Sequence, residues 1–201
     1  MNFNQARFLV SAADTRGCPP DTGHEVAFVG RSNAGKSSAI NKLCSRRALA
    51  RTSSTPGRTR LLNFFALDEE AARRLVDLPG YGYAKAPKTE QARWAELIER
   101  YLATRASLAG LVLLADSRHA LKPADEQLLG WARASELDTL VLLTKVDKLG
   151  RNAQSRATAA VRSRLPSNAE AVAFSAVTGL GLEPARDWIA ARLAPADEPG
   201  S

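Results

Sequence analysis

Residues 26–38 read Val-Ala-Phe-Val-Gly-Arg-Ser-Asn-Ala-Gly-Lys-Ser-Ser, and much of the architecture can be inferred from them. The four apolar residues predict a buried strand. Gly30 and Gly35, followed directly by Lys and Ser, match the pattern of a phosphate-binding loop. In such a loop the glycines let backbone N–H groups curl around phosphate oxygens, and the positive end of the next helix points at them. We therefore expect a strand, a phosphate-binding loop and the start of a helix.

The loop pattern gives roles to individual residues. Lys36 would reach the β- and γ-phosphates of a nucleotide, and the hydroxyl of Ser37 would be a ligand of Mg²⁺. The predicted phosphate-binding set is Gly30, Arg31, Ser32, Asn33, Ala34, Gly35, Lys36, Ser37 and Ser38.

Strand-like and helix-like segments alternate along the chain. Short stretches rich in Val, Leu or Phe predict six strands, at residues 26–29, 61–67, 74–77, 111–115, 140–143 and 171–174. Helical periodicity lies between them, at residues 89–106, 124–134 and 184–193. This alternation predicts an α/β fold, with a six-stranded, mostly parallel sheet and helices on both faces. The link at residues 68–70 is too short for a crossover helix, so we expect the second strand to run antiparallel.

Length and composition narrow the class of protein. The chain has 201 residues, of which 45% are hydrophobic, and its longest apolar run is far shorter than the roughly 20 residues of a membrane span. Two cysteines are too few for a disulfide framework, and the sequence predicts no signal peptide. We expect an N-terminal extension at 1–25, the main domain at 26–194 and a disordered tail at 195–201. A cytoplasmic globular protein is the class that remains.

Positive charge is concentrated in one segment. Residues 26–67 contain no acidic side chain, whereas the rest of the chain is nearly neutral and the net charge is +7. Clustered charge indicates a phosphate-bearing partner, with an ordinary solvated face as the alternative. A second acid-free run, at 148–169, is better interpreted as an exposed helix face than as an RNA contact. The basic residues of the first segment are Arg31, Lys36, Lys42, Arg46, Arg47, Arg51, Arg58 and Arg60.

Two further motifs follow predicted strands. Asp77 would hold Mg²⁺ through water, and the backbone N–H of Gly80 would approach the γ-phosphate. Asp147 would accept two hydrogen bonds from guanine N1–H and N2–H₂, a pair of donors that adenine lacks. The stem of Lys145 would lie over the purine. The predicted base-binding residues are Thr144, Lys145, Asp147, Ser175 and Ala176, with a backbone N–H of the last pair facing guanine O6.

The order and spacing of these motifs predict a Ras-like P-loop GTPase domain. A P-loop kinase or ATPase is disfavoured because it should tolerate adenine. Thr59 then becomes the expected switch residue, which would bind Mg²⁺ only when a γ-phosphate is present, and Gly57 joins the nucleotide-binding set. The alternative for Thr59 is a simple loop hydroxyl.

Over about residues 6–193 the sequence resembles the EngB (YihA/YsxC-type) family of bacterial GTPases. Asp116-Ser117-Arg118-His119 looks like that family's turn after the fourth strand. Arg58 stands where Lys is more familiar, which keeps the charge. The motifs that carry the resemblance are Gly-Arg-Ser-Asn-Ala-Gly-Lys-Ser-Ser at 30–38, Thr-Pro-Gly-Arg-Thr at 55–59, Asp-Leu-Pro-Gly-Tyr-Gly-Tyr-Ala-Lys at 77–85 and Thr-Lys-Val-Asp-Lys-Leu at 144–149.

The resemblance implies a function and partners. It implies a GTP-binding and GTP-hydrolysing protein required for large ribosomal subunit assembly and for normal cell division and septation. GTP or GDP and Mg²⁺ are the expected cofactors, and a monomer is expected, although the sequence does not give the oligomeric state. The implied partners are the large subunit and its rRNA, not DNA or a membrane. The competing interpretation is a signalling-type GTPase that switches on protein partners without RNA contact.

The resemblance also bears on hydrolysis. In many related GTPases a glutamine after the Asp-x-x-Gly motif orients the attacking water, but here Tyr81 holds that position and cannot do so. Resemblance to GTPases with Asn in the phosphate loop suggests that Asn33 helps to bind K⁺; bracing of the loop is the alternative. We expect slow intrinsic turnover, raised by K⁺ and by the ribosome. The expected catalytic set is Lys36, Thr59, Asp77, Gly80 and Asn33.

Overall fold

The computed structural model describes residues 1–50, 61–82, 87–119 and 121–194. The strands in these ranges are β1 (Arg7–Ala12), β2 (His24–Gly30), β3 (Leu62–Ala66), β4 (Arg73–Asp77), β5 (Leu108–Asp116), β6 (Thr139–Thr144) and β7 (Ala169–Ala173). The α-helices are α1 (Lys36–Leu43), α2 (Lys88–Thr104), α3 (Pro123–Ala134), α4 (Arg151–Arg162) and α5 (Leu182–Leu193). None of these helices is long and apolar enough to cross a membrane.

The strands form one sheet in the order β1-β3-β4-β2-β5-β6-β7. β3 runs antiparallel to both of its neighbours, β1 and β4, and all other pairs are parallel. The expected antiparallel second strand is therefore confirmed. Its direction follows from the short link between β3 and β4, which can form a hairpin but not a crossover.

The predicted number of six strands is wrong, because β1 adds a seventh strand at the edge of the sheet. β1 lies within residues 1–25, the segment expected to be an N-terminal extension. Only Ala12 in this strand is fully buried, and its pairing with β3 shifts register between Phe8 and Val10. A strand with so little burial has neither clear alternation nor a continuous apolar run, so the sequence pattern does not predict it.

The central strands and the helices enclose two apolar cores, one on each face of the sheet. β6 is buried along its whole length, as expected for a parallel strand covered on both faces. On one face α2 and α3 contribute buried residues such as Ile98 and Leu128. On the other face α1 and α5 contribute Ile40 and Ile189. Helices on both faces of the sheet were expected from the sequence, and this is confirmed.

The carboxyl ends of the parallel strands meet at one edge of the sheet. β2 ends at Gly30, β4 at Asp77, β5 at Asp116 and β6 at Thr144. Ligands of doubly wound sheets bind at this edge. The fold thus brings together motifs that are more than 100 residues apart in the sequence.

A buried ion cluster lies at the opposite edge. Glu25 is fully buried near the start of β2. Its Oε1 accepts hydrogen bonds from Arg74 Nε and Arg105 Nη2, each at 2.7 Å. Its Oε2 accepts from the Tyr101 hydroxyl at 2.6 Å and Arg105 Nε at 2.9 Å. Because both arginines also donate to carbonyls of residues 19–20, the cluster anchors the loop that precedes β2.

Candidate functional site

The phosphate-binding loop joins β2 to α1 with the conformation that its sequence predicts. Gly35 has φ 92° and directly precedes α1. This is the left-handed region, which a residue with a Cβ adopts only with strain. Asn33 also has a positive φ, 65°, a conformation that Asn tolerates better than most residues. Gly35, the N-cap residue of α1, has no side chain that could cap the helix, so the first N–H groups of α1 face the loop, where they can bind an anion.

The last residue of β6, Thr144, and the residue that follows it, Lys145, support the phosphate-binding loop. The hydroxyl of Thr144 donates to the carbonyl of Ala34 at 2.5 Å, and Lys145 Nζ donates to the carbonyl of Asn33 at 2.6 Å. Thr144 is buried, with 3% of its surface exposed. The expected base-binding segment is thus also a support for the phosphate-binding loop, which the sequence pattern does not reveal.

Lys36 and Asp77 form an ion pair between the loop and the end of β4. Both side chains are largely buried, with 12% and 6% of their surface exposed. The pair places the expected metal-binding carboxylate beside the expected phosphate-binding ammonium. Asp77 and the hydroxyl of Ser37 offer hard oxygen ligands of the kind that Mg²⁺ prefers, so the donor set present here fits that ion.

The chain that follows Asp77 packs directly on the phosphate-binding loop. Ser32 N–H donates to the carbonyl of Tyr81 at 2.8 Å, and Tyr81 N–H donates to the carbonyl of Gly30 at 3.3 Å. A Cβ on Gly80 would lie 3.4 Å from that same Gly30 oxygen. The backbone at 80–81 is therefore within reach of any group bound by the loop.

The side chain of Tyr81 turns away from the loop and into the protein. It is 5% exposed, its hydroxyl donates to Asp125 at the start of α3, and its ring centroid lies 5.0 Å from that of Trp94. Burial raises the pKa of Tyr81 far above its ordinary value, so the phenol stays protonated. Trp94 in turn donates to the carbonyl of Pro79 at 2.7 Å. In this arrangement the phenol cannot orient a water molecule at the loop.

Asp147 is held in place by Ser175. The Ser175 hydroxyl donates to Asp147 Oδ1 at 2.6 Å and accepts from the N–H groups of Val177 and Thr178 at 3.2 and 3.1 Å. The hydrogen bond from Ser175 is the main cause that holds the pKa of Asp147 below its ordinary value. A carboxylate that is ionised and fixed can accept the two parallel donors of guanine.

Asp116 joins this site although the sequence pattern gave it no role there. It accepts hydrogen bonds from Arg118 and pairs with Lys145. The available signal was its place at the end of β5, on the same edge as the other motifs.

The expected site residues that the structure describes lie along this one edge of the sheet. Gly57 and Thr59 lie outside the described residues. Ala176 follows the buried Ser175 in the turn that holds Asp147. Ser38 lies in the first turn of α1.

Comparison with known protein families agrees with this geometry. A family model described as "50S ribosome-binding GTPase" matches residues 25–145. The chain is 47% identical over 196 residues to "Probable GTP-binding protein EngB" of Pasteurella multocida, which covers 96% of this chain and 93% of that protein. It is 56% identical over 153 residues to the protein of the same name from Enterobacter sp. (strain 638), covering 76% of this chain and 73% of that one.

Solved structures show the same fold. The crystal structure of a probable GTP-binding protein engB superposes with a TM-score of 0.66 at 23% identity, over 84% of this chain and 98% of that one. Era of Aquifex aeolicus gives a TM-score of 0.69 at 22% identity, over 90% of this chain and 60% of that one. These likenesses show a Ras-like P-loop GTPase fold. With the sequence identities above, they establish that the chain belongs to the EngB family of GTPases.

Proposed function

We propose that this protein hydrolyses GTP as an assembly factor of the large ribosomal subunit. It acts in the cytoplasm as a monomer, contacts rRNA but neither DNA nor a membrane, and supports normal cell division and septation through subunit assembly. The observation that carries the proposal is a pair of exposed arginines, Arg46 and Arg47, just after α1. Within the described part of the chain their guanidinium groups make neither a hydrogen bond nor an ion pair. They lie just past the C-terminal end of α1, at the opposite end of this 8-residue helix from the phosphate-binding loop and so roughly 12 Å from it. Their segment is free of acidic residues, which suits contact with the phosphates of RNA.

GTP binding is assigned to the residues at the carboxyl edge of the sheet. To bind the β- and γ-phosphates, Lys36 breaks its ion pair with Asp77. Asp147 selects guanine. Ser37, Asp77 through water, and Thr59 would hold Mg²⁺, which would neutralise charge on the β- and γ-phosphate oxygens. Gly80 N–H approaches the γ-phosphate from the segment that packs on the loop.

Hydrolysis must use a group other than the side chain of Tyr81, since that side chain faces α2 and α3. Asn33 supports the K⁺ proposal, because its side chain is exposed and, among the described residues, makes no hydrogen bond. The backbone carbonyl of Asn33 accepts a hydrogen bond from Lys145 Nζ. We expect a higher kcat in KCl than in NaCl, and loss of this difference in Asn33→Ala. Equal rates in the two salts, with no effect of the substitution, would show that Asn33 only braces the loop.

The signalling alternative is weakened by the position of β1. Protein partners often add a strand to an exposed sheet edge. The outer edge of β3, the strand that follows the expected switch segment, is already paired with β1 from Arg7 to Ala12. A protein effector therefore cannot add a strand to β3, and within the described sheet it would have to pair with the outer edge of β1 or of β7.

The deciding experiment is pelleting with purified large subunits in GDP and in a non-hydrolysable GTP analogue. We expect tighter binding with the analogue and a steep salt dependence. Charge reversal at Arg46 and Arg47 should weaken pelleting while GTP affinity changes less than about twofold. Reversal at Arg100 and Arg133, which are exposed on the α2–α3 face, is the matched control. Equal losses from the two double variants, or binding insensitive to salt, would refute the RNA contact.

A further inference from the structure

Asp116 is the last residue of β5 and lies opposite Thr144 in the sheet. The Asp116 side chain is 12% exposed. Oδ1 accepts from the backbone N–H and Nε of Arg118 at 3.1 and 2.9 Å, and Oδ2 accepts from Nη2 at 2.7 Å. Lys145 Nζ lies 3.0 Å from the same Oδ2. Both carboxylate oxygens are therefore engaged, one of them by two cations.

Lys145 is in turn held from two sides. Its ammonium lies between Asp116 Oδ2 and the carbonyl of Asn33, at 3.0 and 2.6 Å. Its backbone is left-handed, with φ 60° and ψ 29°, which turns the side chain back toward the loop. The stem runs past Gly35, where Cε would lie 3.9 Å from a Cβ on that residue. The long side chain thus has a single extended path across the phosphate-binding loop.

We propose that Asp116 is a positioning residue for guanine nucleotide binding, which holds Lys145 across the phosphate-binding loop and acts on affinity only through it. The proposal rests on the role given above to Lys145 beside the purine. A lysine side chain that is already ordered loses little conformational freedom when the nucleotide binds, and such preorganisation raises affinity. Without Asp116, the carbonyl of Asn33 is the one partner that Lys145 keeps among the described residues.

Arg118 lowers the pKa of Asp116, although an aspartate with its ordinary pKa is already ionised at neutral pH. The hydrogen bonds of Arg118, more than those of Lys145, hold the pKa of Asp116 well below its usual range. Asp116 is therefore ionised whether or not Lys145 is in contact. Arg118 is 46% exposed, and its guanidinium group donates hydrogen bonds to Asp116.

This geometry predicts which binding and kinetic constants change when Asp116 is lost. Lys145 is placed at the purine end of the site, whereas Lys36 and Asp77 are at the phosphate end. Loss of Asp116 should therefore weaken GDP and a GTP analogue by the same factor and raise KM, with kcat at saturating GTP unchanged. The rotamer freedom of a lysine sets an upper limit of about 30-fold on that loss.

The test is a double-mutant cycle on the full chain with fluorescent GDP and a fluorescent non-hydrolysable GTP analogue. Asp116→Asn removes the charge but keeps the shape, and we expect Kd to rise roughly 5- to 30-fold for both nucleotides. Lys145→Ala should weaken binding at least as much. If Asp116 acts through Lys145, the double variant should bind like Lys145→Ala alone.

Two further variants keep the test decisive. Arg118→Gln leaves the Asp116–Lys145 pair intact and should change Kd less than about twofold. If Asp116→Asn proves unstable in thermal unfolding, Asp116→Glu takes its place in the test. This variant keeps a carboxylate and should recover part of the affinity. Additive losses in the cycle, or a fall in kcat without a change in Kd, would overturn the role of Asp116. If Lys145→Ala itself binds both nucleotides normally, then the function proposed for Lys145 fails instead.

Discussion

Removal of the Tyr81 hydroxyl is the most direct test of the structure, because this group makes a buried hydrogen bond to Asp125. Asp125 is buried, with 2% of its surface exposed. Its Oδ2 accepts from the backbone N–H of Lys122 at 2.7 Å, and its Oδ1 accepts from Tyr81. Tyr81→Phe keeps the ring against Trp94 but leaves Oδ1 with no donor among the described residues. The substitution therefore isolates a single buried hydrogen bond to a carboxylate.

We expect Tyr81→Phe to lower the free energy of unfolding by about 2 kcal/mol, because a buried hydrogen bond to a charged group contributes ~1.5–3 kcal/mol. For a chain of this size that corresponds to a fall in Tm of about 4–8 °C. Urea unfolding and calorimetry would measure both quantities. Since the hydroxyl does not face the phosphate-binding loop, kcat at saturating GTP should stay within a few-fold of the wild type.

Tyr101→Phe is a matched control for this measurement. Its hydroxyl is also buried on a carboxylate, Glu25, but Arg105 continues to donate to the same oxygen at 2.9 Å. We therefore expect a smaller loss, about 1 kcal/mol. If Tyr81→Phe proves as stable as the wild type, or loses less than Tyr101→Phe, the reasoning from unsatisfied acceptors is refuted.

The remaining predictions concern the ion cluster, the base site and the loop. Glu25→Ala should cost about 3–5 kcal/mol in urea unfolding because it removes the buried carboxylate that pairs with Arg74 and Arg105. Glu183→Ala, at a surface pair, should cost less than ~1 kcal/mol. Similar losses from the two variants would contradict a stabilising role for Glu25. Ser175→Ala should raise the pKa of Asp147, whose ionised form binds guanine. As the pH is lowered from neutrality, the GDP affinity of this variant should therefore begin to fall at a higher pH than that of the wild type. Superimposable pH profiles would argue against that hydrogen bond. Gly35→Ala should destabilise the fold by roughly 1–2 kcal/mol, since it forces a Cβ into the left-handed region, and GDP binding by calorimetry should be lost; normal binding would mean that the loop tolerates another conformation.

The sequence predicts those parts of the fold that rest on local signals. β2, β5 and β6 are continuous apolar runs, and the phosphate-binding loop is marked by its own glycines. The direction of β3 follows from the few residues that link it to β4. In each case the physical cause lies within a short stretch of chain, so that the pattern and the structure agree.

The parts that the sequence does not predict are pairings between distant segments. Thr144 supports Ala34 from 110 positions away, and Tyr81 bonds to Asp125 across 44. Such contacts depend on strand order and register, which no single segment encodes. The role of Asp116 is equally hard to predict from the sequence, because it depends on the pairing of β5 with β6.

The seventh strand has a consequence for how the chain must fold. β1 is made first, yet its partner β3 begins only at Leu62, so this pairing closes a long loop and belongs to the slow, non-local part of folding. Until it forms, β3 has a bare edge that a second copy of the chain can pair with. Once this pair forms, β1 is the edge strand. Its register shift beside Phe8 makes it a poor template for pairing with a strand of another chain. The N-terminal strand thereby protects β3 from pairing with another chain. The rate at which the β1–β3 pair forms sets how long the folding chain is open to aggregation.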